Sequence, residues 1–131
     1  MDQQKANELE SRLIAFAVRV IKLTGHLPDS PAGKHLARQI LRSGTSPAPN
    51  YGESRSAESA ADFVHKLSIV LKELNETMIW LKLIIGSGLM KPSAIEDILD
   101  ENEQLAQIIS ASIRTARTRS LNRKSTLENE Q

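Results

Sequence analysis

From Phe63 to Ile85 an apolar residue returns every three or four positions: Phe63, Leu67, Val70, Leu74, Met78, Leu81 and Ile85. That is the period of a helix face, and a strand alternating at period two cannot produce it. Val64, Leu71, Ile79 and Ile84 widen the seam beyond one stripe. The pattern predicts a helix from about Ser56 to Ile85, stopped by Gly86 and Gly88.

The same period organises the rest of the chain. Leu9, Leu13, Phe16, Val20, Leu23 and Leu27 form a heptad seam, with Ile14, Val18 and Ile21 as a second strip beside it. Thr24-Gly25 marks the end of this first helix, where glycine tolerates a left-handed cap. Ser30 then caps a second helix that opens on Pro31 and buries Leu36, Ala37, Ile40 and Leu41. Ser93, with Glu96 three residues on, reads as the capping box of a fourth helix. Ile95, Ile98, Leu99, Leu105, Ile108, Ile109, Ile113 and Ala116 carry its apolar face. No stretch alternates at period two, so the fold class is all-α: an up-down-up-down four-helix bundle. The expected organisation is a bundle over residues 1–118 and a frayed or disordered polar tail over 119–131. The first and third helices are apolar on more than one stripe, and the excess implies a neighbouring subunit.

One stretch resists this reading. Residues 42–54, RSGTSPAPNYGES, hold Gly44, Pro47, Pro49 and Gly52 between two helical patterns. They could form a loop, a kink or a site. Pro47 lacks the backbone donor and would clash with the carbonyl of Ser43; Pro49 repeats this at Thr45.

Composition sets limits on function. With 131 residues the chain is one domain, and with 3% aromatics its core is aliphatic. It has no cysteine, which excludes disulfides, thiolate catalysis and thiolate-held zinc, and fits a reducing cytoplasm. The first residues, MDQQKANELE, do not read as a signal peptide, and no apolar run is long enough for a bilayer. A cytoplasmic protein without membrane contact is expected. The net charge of +1 is unevenly spread. Residues 1–55 carry eight Lys/Arg against five Asp/Glu, residues 56–113 four against nine, and residues 114–131 five against two.

Catalytic chemistry is thin. The histidines are His26, His35 and His65. Asp62-Phe63-Val64-His65 comes near the Glu-x-x-His motif of di-metal bundles, but no second histidine repeats it, and no metal or cofactor is expected. Glu73 and Glu76 could pair for acid–base work, yet Lys72 and Lys82 stand close enough to accompany them. Glu76 adjoins the apolar seam and calls for a cation partner. No phosphate-binding glycine loop is present, and Trp80 and Tyr51 read as packing residues.

Arg42-Ser43-Gly44-Thr45-Ser46, then Asn50 and Glu53, Asp62-Phe63 with Lys66, and Leu71-Lys72-Glu73 with Glu76-Thr77 and Trp80-Leu81 form a specific set. Through them the chain resembles the bacterial four helix bundle proteins also called 23S rRNA intervening sequence proteins, over roughly residues 10–113. The resemblance implies an up-down bundle, commonly a homopentamer, without established enzymatic activity. It also implies kinship with the accessory protein of diversity-generating retroelements, a pentameric bundle whose basic surface binds nucleic acid and a reverse transcriptase. In that family the 42–54 stretch belongs to the second helix, so a proline-kinked second helix is expected. Asn50 and Glu53 are then expected to cap the kinked backbone, with a polar cluster at a subunit contact as the alternative.

Two function classes follow. One is a non-enzymatic homo-oligomeric module that binds RNA, DNA or a nucleic-acid-processing protein. Its candidate contacts are Arg12, Arg19 and Lys22 on one face of the first helix, and Arg114, Arg117 and Arg119 at the end of the fourth. Lys72 and Lys82, lying among acidic residues, are expected to add little. The other class is a purely structural homo-oligomer or adaptor, with those charges solvated or paired.

Overall fold

The computed structural model describes residues 2–130; expectations for Met1 and Gln131 lie outside the described residues. Its elements are α1 (Gln3–Thr24), α2 (Pro31–Thr45), α3 (Pro47–Ser54), α4 (Ala60–Gly86) and α5 (Pro92–Glu130). The described residues contain no strand. Helices α2 and α3 act as one rod bent at Ser46, whose own backbone is still right-handed helical, with φ −69° and ψ −37°. Pro47 breaks the hydrogen-bond ladder there, and Asn50 N–H resumes it by donating to the Ser46 carbonyl at 3.3 Å. The proline-kinked second helix is therefore what forms.

Four rods surround one core. α1 packs against α2–α3 and α5, and α4 packs against the same two rods, while the backbones of α1 and α4 do not approach each other. They stand at diagonal corners of the bundle. Leu13, Phe16, Val20, Ile40, Leu67, Val70, Leu74, Leu81, Ile84, Ile95, Leu105 and Ile109 are its largest fully buried side chains. On α1 this is the seam the period selects; on α4 the buried line shifts to Thr77 and Ile84, and Phe63, Met78 and Ile85 of the expected seam are only partly buried. The second strip of α1, Ile14, Val18 and Ile21, stays about half exposed. On α4 only Ile79 of the widened seam does, beside Leu83, while Val64 and Leu71 are partly buried and Ile84 fully. Leu41, expected inside, is also exposed.

Helix ends follow short-range chemistry, with three differences from expectation. Ser30 Oγ accepts from Gly33 N–H at 3.0 Å, as its position before Pro31 predicts. Helix α4 starts at Ala60, not Ser56, because Ser59 Oγ accepts from Asp62 N–H. Gly25 ends α1 in the right-handed region, φ −69°, so glycine is not needed there for a left-handed cap. Ser93 does not cap α5: Pro92 already occupies the first turn, which suits a residue without an N–H. The left-handed cap lies at Gly88, φ 73°. There Leu89 N–H reaches the Ile84 carbonyl and Gly88 N–H that of Ile85, the paired bonds of a Schellman end.

The largest departure is the tail. Where fraying is expected from residue 119, α5 continues as helix to Glu130. Residues 117–130 contain no Gly or Pro, and Arg, Leu, Lys and Glu favour helix, so nothing in the local sequence stops a helix already nucleated on the bundle from running on. At 39 residues α5 is about 58 Å long, against about 40 Å for the 27 residues of α4. Its last turns overhang the bundle, and Leu121 and Leu127 there are exposed.

Candidate functional site

The resemblance residues meet at the joint between α2 and α4. Arg42 donates to Glu73 Oε2 at 3.1 Å and to Glu76 Oε1. Trp80 Nε1 donates to the same Glu76 oxygen at 3.4 Å, and His35 meets the Trp80 ring edge to face at 6.3 Å. The hydrogen bond from Arg42 holds the Glu76 carboxyl below the usual carboxylate range, and Glu76 holds the Arg42 guanidinium above its ordinary value. One residue on, the buried Ser43 hydroxyl is hydrogen-bonded to the buried Thr77 hydroxyl at 2.8 Å. One residue further, Gly44 faces α1 so closely that a Cβ would stand 2.7 Å from Val20 Cγ2. Three consecutive residues thus tie α2 to α4 by charge, to α4 by hydroxyl, and to α1 by backbone contact.

The kink is fastened in the same way. Asn50 Nδ2 donates to Ser46 Oγ at 2.9 Å and to the Ser46 carbonyl at 3.0 Å, which is the local capping expected. Glu53 does not cap. It accepts from Lys66 Nζ of α4 at 2.9 Å, and that bond raises the lysine pKa. Tyr51 is buried beside the bend, and burial pushes its phenol pKa up. This constellation acts as a fastening between α2–α3 and α4, with Tyr51 at the edge of a groove that runs towards α5. Among the described residues no three His, Asp or Glu side chains stand together as a metal site. Asn102 is half satisfied in the core: its Nδ2 donates to the Leu74 carbonyl at 3.0 Å, and its buried Oδ1 finds no partner among the described residues.

The structure divides the six basic candidates. Arg12 is committed: its Nε and Nη2 donate to the two oxygens of Glu101 at 3.1 and 2.6 Å, and Nη2 also to Gln104 Oε1. That geometry raises its pKa and takes it out of a free cationic strip. Arg19 and Lys22 are exposed and make no ion pair among the described residues. Arg114 and Arg117 line a groove of about 470 Å³ along the α4–α5 seam. Lys72 lines it with them, while its charge also acts on Glu76 of its own helix, as its acidic sequence neighbours suggest. Arg119 faces elsewhere. With Lys5, Arg55 and Arg123 it rims a wider groove of about 800 Å³ where the α5 overhang passes the first turn of α1 and the α3–α4 joint. Arg55 is already held there by Asn7 and Glu10. The sequence holds the signal for the seam groove, since Ser68, Lys72 and Asn75 and Ser110, Arg114 and Arg117 share one spacing. What it lacks is the register that sets the two triplets opposite each other.

No helix among the described residues is long and apolar enough to cross a membrane. Comparison with curated proteins finds no match. Among solved structures, the chain is similar to a protein of unknown function from the S23 ribosomal protein family of Bacteroides thetaiotaomicron VPI-5482. The two are 35% identical, with a TM-score of 0.76, over 80% of this chain and 97% of that one. The family model described as 23S rRNA-intervening sequence protein matches residues 5–111, a span that contains both the fastening between α2 and α4 and the kink. The chain belongs to the 23S rRNA-intervening sequence protein family.

Proposed function

We propose that the protein is a non-enzymatic assembly module: a homo-oligomer of helical bundles, pentameric as the resemblance implies, that docks nucleic acid or a protein that processes it. The pair of exposed apolar strips carries this reading. Ile14, Val18 and Ile21 lie on α1, and Ile79 and Leu83 on α4. These helices occupy diagonal corners, so the strips face opposite sides of the bundle. Two different strips on opposite sides suit a head-to-tail contact, and repeated head-to-tail contacts close into rings. Charge favours the same pairing, because the α1–α2 half is basic and the α4–α5 stretch through residue 113 is acidic.

Nucleic-acid docking rests on the cations left without an ion pair among the described residues: Arg19 and Lys22 on α1, and Arg114, Arg117 and Arg119 on α5. The second reading, a structural oligomer or adaptor without nucleic-acid binding, is favoured by Arg12, Arg42 and Lys66, all committed to carboxylates within the chain. Light scattering over a dilution series tests the assembly. A mass several times that of one chain, held into the micromolar range, supports it; a stable monomer at micromolar concentration refutes it.

A further inference from the structure

The α4–α5 seam groove is built from two matched triplets. Ser68, Lys72 and Asn75 on α4, and Ser110, Arg114 and Arg117 on α5, are each spaced four and three. Each triplet therefore stands on one helix face, and the packing of α4 on α5 brings the two faces to one groove. Leu71 and Ile113 form its floor. The cations are Lys72, Arg114 and Arg117, and none has an ion-pair partner among the described residues. The acid that feels Lys72, Glu76, is already bonded to Arg42. Arg114 Nη1 donates to Ser110 Oγ at 3.1 Å, which lays the guanidinium along the groove wall and leaves its other N–H groups free. Ser68 spends its hydroxyl proton on the Val64 carbonyl, so Asn75 supplies the neutral donor. Three like charges in one groove repel each other, and an anion seated among them removes that repulsion.

The shape selects a chain of anions over a single one. The groove is a shallow seam without a buried charged side chain, so it cannot enclose a free phosphate. The cationic line instead runs out of it. Arg114, Arg117, Leu121 and Lys124, spaced three, four and three, share one face of α5, and Lys124 stands about 15 Å beyond Arg114 on the overhang. Arg114 and Arg117 also lie past residue 111, where the family match ends, so this feature is additional to the family's shared stretch.

We propose that the α4–α5 seam is the phosphate-backbone site of this protein, with Lys72, Arg114 and Arg117 contacting successive phosphates of a nucleic-acid strand and Lys124 extending the track. This rests on the nucleic-acid reading above and names the surface that performs it. The contacts carry no base specificity, since no side chain in the groove is arranged to read base edges.

The test is fluorescence anisotropy of a labelled RNA hairpin and a labelled DNA duplex titrated with full-length protein across a salt series. Three proteins are compared: wild type; Lys72→Gln, Arg114→Gln, Arg117→Gln together; and, as the control, the exposed pair Lys82→Gln, Lys91→Gln together. Helicity and light-scattering mass are checked for each, because lost assembly would itself remove avidity. The triple variant is expected to bind roughly 10- to 100-fold more weakly, with a log–log salt slope flatter by about 3 on duplex. The Lys82, Lys91 variant loses charge away from the seam and is expected to stay within about threefold of wild type. A triple variant that binds like wild type, with the same slope, overturns the site while leaving nucleic-acid binding intact. A wild type that binds neither probe at low salt overturns the functional reading itself, and the site with it, whether or not it then binds anionic vesicles.

Discussion

Gly44→Ala should destabilise the protein, although it places a better helix former in a helix. Alanine in a helix interior is worth about 1 kcal/mol over glycine. Against this stands the contact with α1. A Cβ at residue 44 would lie 2.7 Å from Val20 Cγ2, 2.8 Å from Cγ1 and 3.2 Å from Cβ. Carbon atoms rest at about 3.5–4.0 Å, so the closest pair overlaps by roughly 0.8 Å. Val20 is fully buried and β-branched, with essentially one rotamer open to it in a helix, so the helices must part instead. Overpacking of this kind costs about 1–3 kcal/mol, which leaves a net loss of about 1 kcal/mol. The double mutant tests the cause. Val20→Ala alone should cost about 1.5–3 kcal/mol, and in its background Gly44→Ala should become neutral or stabilising, because both offending methyls are gone. Urea denaturation at one fixed protein concentration measures all four corners, with constant m-values as the check. If Gly44→Ala stabilises by the same amount in both backgrounds, the close approach of α2 to α1 is wrong.

Two further predictions concern packing and charge. Leu74→Ala, which empties a fully buried position in the α4 seam, should cost about 2–5 kcal/mol; an unchanged denaturation midpoint would mean that α4 is rotated from the register described. The Arg42–Glu76 bridge should make stability fall in acid. Its carboxyl is held below its usual range, so the bridge contributes fully above about pH 4.3 and is lost as pH drops through the folded-state value. The Arg42 side chain is 52% exposed, so the difference should not exceed about 1 kcal/mol. Denaturation midpoints from pH 7 to 3 should converge for wild type and Arg42→Gln at the acid end; parallel curves throughout would show that the bridge contributes nothing.

The helices were legible because their signal is local. Period alone picks out Leu13, Phe16, Leu67 and Leu74 as buried and marks Ile14, Val18 and Ile21 as a separate strip. Long-range pairs left no such trace. Arg12 meets Glu101 across 89 positions, and Arg42 meets Glu76 across 34. Arg12 therefore read as a free cation, and Arg42 as a motif without a visible reason. Lys72 was legible only in part: it acts on Glu76 along its own helix, but its place in the seam with Arg114 and Arg117 depends on packing the sequence does not spell out. The kink lay between these cases, since its prolines announced a break while its partners Ser46 and Asn50 lie only four residues apart.

The head-to-tail assembly is tested most directly by mixing two half-blind variants. Ile14→Glu with Ile21→Glu spoils the α1 strip, and Ile79→Glu with Leu83→Glu spoils the α4 strip. All four side chains are about half exposed, so the fold should tolerate the charges. Sedimentation equilibrium should find the wild type several-fold heavier than the 14.5 kDa of one chain, and each variant alone monomeric. An equimolar mixture should form dimers and nothing larger, since only one sound α1 strip can meet one sound α4 strip. A mixture that stays monomeric, or a variant that keeps the wild-type mass alone, would contradict the assembly proposed here.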